Sequence, residues 1–320
     1  LEGGHKTVLT SSGLSAVTTA LLAHLKAGDH LLMTDSAYQP SRNFCDRVLK
    51  RYGVDVEYYD PRIGKGIEKL LRPETAVVFT ESPGSVTFEV QDLPAISEAA
   101  HRAGAIVMID NTWASPLYFR PFDHGADISI QAVTKYLCGH SDVMMGAITT
   151  TEAAWKETLA DHGAIGQCAG PDDIYLVLRG LRTLSVRLER HMETGLALAR
   201  WLGERSEVAQ VIHPALPDHP DHAIWKRDFT GASGLFSIEL KPCSEKALAA
   251  FLDDLELFGM GYSWGGFESL IIPQYPKKMR TATEWTAEGQ ILRLHAGLED
   301  MEDLIADLDA GFERMRDAAA

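Results

Sequence analysis

Two side chains in this sequence sit where their chemistry, rather than their solubility, has to explain them. Lys135 closes a stretch that reads as an apolar strand, Asp127-Ile-Ser-Ile-Gln-Ala-Val-Thr134, and precedes Tyr136-Leu-Cys-Gly-His-Ser-Asp142. A solvated ammonium has no reason to lie at such a strand end, whereas an amine nucleophile does. Upstream, Ala105-Ile-Val-Met-Ile109 delivers Asp110 to the end of another strand. An amine and a carboxylate so placed are the two fixed points that pyridoxal phosphate requires: a Schiff-base lysine and an anionic partner for the pyridinium nitrogen.

Each residue also has a plain reading. Most lysines are solvated surface charges, and Asp110-Asn111 could equally be a turn or a helix cap. A third feature shifts the balance. Thr10-Ser-Ser-Gly-Leu-Ser-Ala16 opens an apolar-periodic helix through Leu14, Val17, Leu21, Leu22 and Leu25, stopping at Gly28. The first-turn amides of Gly13 and Leu14 would face an anion such as a phosphate at the positive helix end. Capping alone explains a Ser/Gly-rich helix start, but lysine, aspartate and phosphate cradle together form a coherent set.

The elements that position these groups alternate. Strands are expected at His30–Met33, Val54–Tyr58, Ala76–Thr80, Ala105–Ile109, Ile128–Ala132 and Ala147–Thr149, with helices between several of them, such as Pro94–Ala103 ended by Gly104. Near-continuous apolar strands separated by helices predict an α/β fold with a mostly parallel sheet covered on both faces. Ligands gather at the carboxyl ends of such strands, where Glu81, Asp110 and Lys135 fall. A proline-free helical stretch from Asp172 to about Arg205 reads as the connector out of a large domain, residues 1–182. A smaller C-terminal α+β domain, residues 183–320, would hold strands near 234–240, 269–272 and 291–295. Its closing helix carries Leu304, Ile305, Leu308, Phe312 and Met315 on one stripe.

Composition narrows the function. The 320 residues suffice for two domains, and a 45% hydrophobic, 23% charged composition is that of a soluble globular protein. A net charge of −15 argues against nucleic acid and anionic membrane surfaces as partners. No apolar run reaches the ~20 residues of a membrane span. Cys45, Cys138, Cys168 and Cys243 lack CxxC spacing, which gives no metal signature and fits a reducing, cytoplasmic compartment. His219 and His222 lie in a Pro-rich loop and read as solvated rather than as ligands. A dinucleotide-dependent dehydrogenase fails for want of a GxGxxG after the first strand.

Six stretches carry a resemblance: Glu81-Ser-Pro-Gly-Ser-Val86, Met108-Ile-Asp-Asn-Thr-Trp113, Ala132 to Asp142, Arg179-Gly-Leu-Arg-Thr183, Tyr262-Ser-Trp-Gly-Gly266 and Leu292 to Asp300. Over essentially the whole chain the sequence resembles the Cys/Met-metabolism family of pyridoxal-phosphate enzymes of fold-type I, and within it the carbon–sulfur β-lyase branch. The resemblance implies that Lys135 carries the cofactor and Asp110 pairs with its pyridinium. It also implies that Tyr38 stacks on the ring and joins proton transfer, and that Gly13, Leu14 and Thr134 bind the phosphate. Arg293, helped by Ser263 and Trp264, would hold the substrate carboxylate, a role for which a planar guanidinium fork suits better than an ammonium.

The implied reaction is cleavage of L-cystathionine to homocysteine, pyruvate and ammonia in methionine biosynthesis, by a homotetramer built as a dimer of dimers. Two departures stand out. Ala132 replaces a serine common in the family, and the family's N-terminal arm, which lends a Tyr and an Arg to the neighbouring subunit's phosphate, is not in this chain. Such an arm would add roughly 60 residues before Leu1. Competing readings are a cysteine or cystine desulfhydrase, a γ-synthase or γ-lyase, and a cofactor-binding regulator. The γ-acting relatives usually carry Asn-Pro after Glu-Ser-Pro and lack the Tyr-Ser-Trp run. A regulator would have no use for Lys135, Tyr38 and Arg293 together.

Overall fold

In the computed structural model, which describes residues 1–319, Lys135 lies beside a sheet of seven strands: β1 (Lys6–Thr10), β2 (His30–Thr34), β3 (Asp55–Tyr59), β4 (Thr75–Glu81), β5 (Ile106–Asp110), β6 (Ile128–Ala132) and β7 (Gly146–Thr150). Their order is β1-β7-β6-β5-β4-β2-β3. β2 to β6 pair in parallel, and β7 runs antiparallel to both β6 and β1. The expected mostly parallel sheet is therefore present, with one reversed strand.

Alternation along the strands explains its two covered faces. Leu32, Val78, Val107 and Ile109 point to one side, onto Leu93, Ile96 and Ala100 of the helix Leu93–Arg102. Leu31, Met33, Val77, Phe79 and Met108 point to the other, onto Ala16, Val17, Ala20 and Leu21 of the helix Gly13–His24. Each fully buried side chain of this size stabilises the fold by about 1.5–3 kcal/mol relative to exposure.

A second sheet, ordered β10-β11-β12-β9-β8, comprises β8 (Val208–Ile212), β9 (Leu235–Leu240), β10 (Gly259–Met260), β11 (Leu270–Gln274) and β12 (Ile291–His295). It is antiparallel except for the β10–β11 pair. The helix Met301–Ala319 packs Leu304, Leu308, Phe312 and Met315 on it, as its stripe predicts.

Three sequence expectations change. β1, β8 and β10 escape the apolar pattern because they are short or lie at sheet edges, where half the positions meet solvent. The single helix expected from Asp172 is two, Pro171–Leu181 and Leu184–Gly203. Arg187 accounts for the break. Its guanidinium turns back to donate to Thr183 Oγ1 (3.0 Å), Gly180 O (2.9 Å) and Tyr136 O (2.8 Å), tying the bend to the turn after Lys135. Finally, β6 ends at Ala132, so Thr134 and Lys135 lie in a turn rather than on the strand. The Lys135 amide donates to Ala132 O at 3.0 Å and curls the chain there.

Candidate active site

The carboxyl ends of β4, β5 and β6 place Glu81, Asp110 and the Lys135 turn side by side. Lys135 Nζ donates to Ser263 Oγ at 2.8 Å and stands 5.3 Å from the centroid of the Trp264 ring. Burial and the nearby Arg293 charge push its pKa down to about 8 against the pull of Asp110. An amine with that pKa is partly unprotonated near neutrality and able to act as a base.

Asp110 is anchored by a residue that the sequence reading left without a role. Thr112 donates to Asp110 Oδ1 through both its amide (3.0 Å) and its hydroxyl (2.5 Å). The same hydroxyl accepts from the Ala132 amide at 2.8 Å and ties β5 to the end of β6. Thr112 lies within the quoted Met108–Trp113 run, so position was legible while the bond was not. Burial raises the Asp110 carboxyl above its usual range, although the Thr112 bonds and the Lys135 charge favour its ionised form. With Oδ1 occupied, Oδ2 is the oxygen left for a cationic N–H partner.

Glu81 is buried and matched in register with Asp110 across β4 and β5. Its Oε2 accepts from the Tyr38 amide at 2.7 Å and its Oε1 from Ser85 Oγ at 2.6 Å. Tyr38 begins the short helix Gln39–Phe44 with 46% of its surface exposed, so its ring is available. Burial together with the Glu81 and Asp110 charges raises the phenol pKa, and Tyr38 stays protonated near neutrality.

Arg293, on β12, donates to Tyr262 O at 2.6 Å. Burial pushes its pKa down to about 10, and among the described residues no carboxylate pairs with it. A half-buried guanidinium without a carboxylate of its own suits one that arrives with a ligand. The loop carrying Ser263 and Trp264 is fixed from behind. The Gly265 amide donates to His295 Nε2 at 3.1 Å, and burial holds that imidazole neutral. Gly265 has φ +82°, and a Cβ there would come within 3.0 Å of the Lys135 backbone, so only glycine lets this loop approach so closely.

The helix expected to cradle an anion starts at Gly13. Ser12 caps the helix Gly13–His24 by accepting from the Ser15 amide at 3.0 Å, and the Ala16 amide donates to Ser12 O. The Gly13 and Leu14 amides are left without a partner among the described residues. A Cβ on Gly13 would stand 2.6 Å from Ala132 Cβ, which explains the glycine. Thr134 reaches the region, but its hydroxyl accepts from the Met145 amide (3.0 Å) and donates to Met145 O (3.3 Å). Bare helix-end amides, a carboxylate with one free oxygen, an exposed phenol ring and a lysine of lowered pKa fit pyridoxal phosphate.

The described residues contain no cluster able to hold a metal ion, and no helix among them is long and apolar enough to cross a membrane. All four cysteines are free. Comparison with known proteins agrees with the geometry. The family described as Cys/Met metabolism PLP-dependent enzyme matches residues 1–313. The chain is 55% identical to a putative cystathionine beta-lyase of Rhizobium johnstonii, over 98% of this chain and 80% of that protein. It is 50% identical to cystathionine beta-lyase MetC of Escherichia coli, over 98% and 81%. Its fold is also similar to the crystal structure of cystathionine gamma synthase from Xanthomonas oryzae in complex with cystathionine, with a TM-score of 0.92 and 35% identity over 99% of this chain and 83% of that one.

Proposed function

Since the chain belongs to the Cys/Met metabolism PLP-dependent enzymes, we propose that it is a carbon–sulfur β-lyase that cleaves L-cystathionine, with water, to homocysteine, pyruvate and ammonia. The observation that carries this reading is the Lys135–Ser263 hydrogen bond over Trp264. It sets the Tyr262-Ser263-Trp264 run, the feature expected of the β-acting branch, directly on the amine.

When bound, pyridoxal phosphate supplies an electron sink for the pair left at Cα after proton loss. The Gly13 and Leu14 amides would hold its phosphate, Asp110 Oδ2 would accept from its ring nitrogen, and Tyr38 would offer its ring as a stacking face. Thr134 contributes its place at the turn and would have to exchange its Met145 bond to give the phosphate a hydroxyl. Arg293 binds the substrate carboxylate and orients the Cα–H toward Lys135, while Ser263 holds Nζ in line. Lys135 Nζ takes the Cα proton, a task suited to an amine of pKa about 8. The Cβ–S bond then breaks, and the protonated Tyr38 phenol holds the proton the leaving sulfur needs. Water converts the remaining three-carbon fragment to pyruvate and ammonia.

The same reading carries a cytoplasmic homotetramer of two catalytic dimers serving methionine biosynthesis. Tyr175, Leu178 and Val186 support association, since all three are more than half exposed on neighbouring helical surface. Sedimentation of the purified protein tests the assembly. The activity is tested by identifying the oxo acid formed from L-cystathionine, alongside L-cysteine and L-cystine as substrates. Pyruvate with homocysteine thiol supports the assignment. A four-carbon oxo acid with cysteine would mean γ-cleavage, and preferred turnover of cysteine or cystine a desulfhydrase.

A further inference from the structure

Tyr38 caps a helix that follows β2 of the first sheet and Arg293 lies on β12 of the second, yet in the proposed reading both face one ligand. A buried carboxylate that plays no part in the chemistry ties them together. Asp35 stands three residues before Tyr38, with its side chain 0% exposed. Its Oδ1 accepts from Arg42 Nη1 (2.9 Å), the Thr281 amide (3.0 Å) and Thr281 Oγ1 (3.1 Å). Its Oδ2 accepts from the Ala282 amide (3.1 Å), the Thr283 amide (2.9 Å) and Thr283 Oγ1 (2.7 Å). Three successive amides converging on one anion form a backbone nest, here filled by a side chain from the other sheet's domain. Burial alone would raise the Asp35 pKa, but the bonds from Thr283 and Thr281 and the Arg42 charge outweigh it and hold the carboxyl below its usual range.

The gripped segment links β11 to β12, the strand that carries Arg293. Next to the nest, Arg280 pairs with Glu89 at 2.7 Å, both nearly buried. Beyond it, residues 284–288 line a cavity of about 980 Å³ shared with Arg62, His219 and Glu239, with Trp285 and Ala287 turned onto the apolar core. Residues 280–283 are where Asp35 and Glu89 hold the approach to β12.

We propose that Asp35 is a positioning residue of the substrate site: by clasping Thr281–Thr283 it sets the gap between Tyr38 and Arg293 and so the fit of the substrate carboxylate. The inference rests on the reading of Arg293 as the carboxylate clamp. A misplaced clamp weakens ground state and transition state alike, which raises KM more than it lowers kcat.

Asp35→Asn replaces one of the two acceptor oxygens with an NH₂, which must then face donors, either Arg42 and Thr281 or Ala282 and Thr283. The expected result is a KM for L-cystathionine raised about tenfold or more with kcat within about threefold. Bound cofactor and its visible absorption stay unchanged, and hydrogen exchange in the 280–284 peptide speeds up. Thr283→Val should move KM in the same direction by less, and Thr283→Ser, which keeps the hydroxyl, should restore it. An unchanged KM in the face of faster exchange overturns the proposal, as does a fall in kcat with loss of cofactor. If Asp35→Asn does not fold, the Thr283→Val and Thr283→Ser pair decides, and equal KM values overturn it. Should the wild-type protein not cleave cystathionine, the proposed function fails by itself. The clasp is then read from glycine affinity, followed by the change in cofactor absorption, and equal affinity in wild type and Asp35→Asn overturns it.

Discussion

Glu81 and Asp110 end adjacent parallel strands at the same register position, so two carboxyl groups stand side by side at the mouth of the sheet. Among the described residues neither has a guanidinium paired with it. Burial, and then the charge of Asp110, push the Glu81 carboxyl up to about 8. A carboxyl whose folded pKa lies above its unfolded value contributes stability that is present at low pH and lost as pH rises through the folded value.

Glu81→Gln should therefore gain on wild type as pH increases. With cofactor removed, the difference in Tm between variant and wild type is expected to grow by at least about 2 °C between pH 5 and pH 8, in the variant's favour. Thermal melts across that range measure it. A constant difference would mean that Glu81 is already ionised at pH 5, held by the Tyr38 amide and Ser85.

Lys135→Ala should abolish turnover and the visible absorption of the lysine-bound cofactor. In the wild-type enzyme kcat, which reports the substrate complex in which the lysine amine is free, is expected to fall as pH drops below about 8, since that amine must be unprotonated to act as the base. A pH profile flat from 6 to 9 contradicts that role.

For Asp110→Asn the expected outcome is retained cofactor with slow chemistry. A neutral amide cannot hold the pyridinium proton, and exchange of the Cα deuteron of a substrate analogue should slow by on the order of 100-fold or more. The variant also removes the charge that raises the Lys135 pKa, and the acid limb of any residual activity should shift to lower pH. Thr112→Val, which breaks the 2.5 Å bond to Oδ1, should show a weaker form of the same defect.

Arg293→Lys should raise KM at least about tenfold, corresponding to about 1.4 kcal/mol, because a point charge replaces a planar fork. Amines lacking a carboxylate should lose nothing, and a parallel loss on them would refute the clamp. Substitution of Trp264, which lies under Lys135 Nζ, should instead change the ranking among thioether substrates.

Much of this site can be read along the chain because its signals are local. Lys135 and Asp110 follow apolar runs, and the Gly13–Leu14 cradle opens an amphipathic helix. A strand end and a helix start are properties of five to ten consecutive residues. The edge strands β1 and β8 were less legible, since one face of each meets solvent and the apolar pattern thins. The break at Arg182–Thr183 was hidden for another reason: the helical pattern runs through it, and the bend is held by Arg187 bonds to Thr183, Gly180 and, across the fold, Tyr136 O.

The sequence by itself determined the fold class and the cofactor chemistry. Tertiary structure decided how those residues are held. Asp35 meets Thr281 across 246 positions and Lys135 meets Ser263 across 128, and no periodicity records a bond of that span. A hydrogen bond of this kind exists only once tertiary packing brings donor and acceptor within about 3 Å, and side chains packed across both sheets fix that distance.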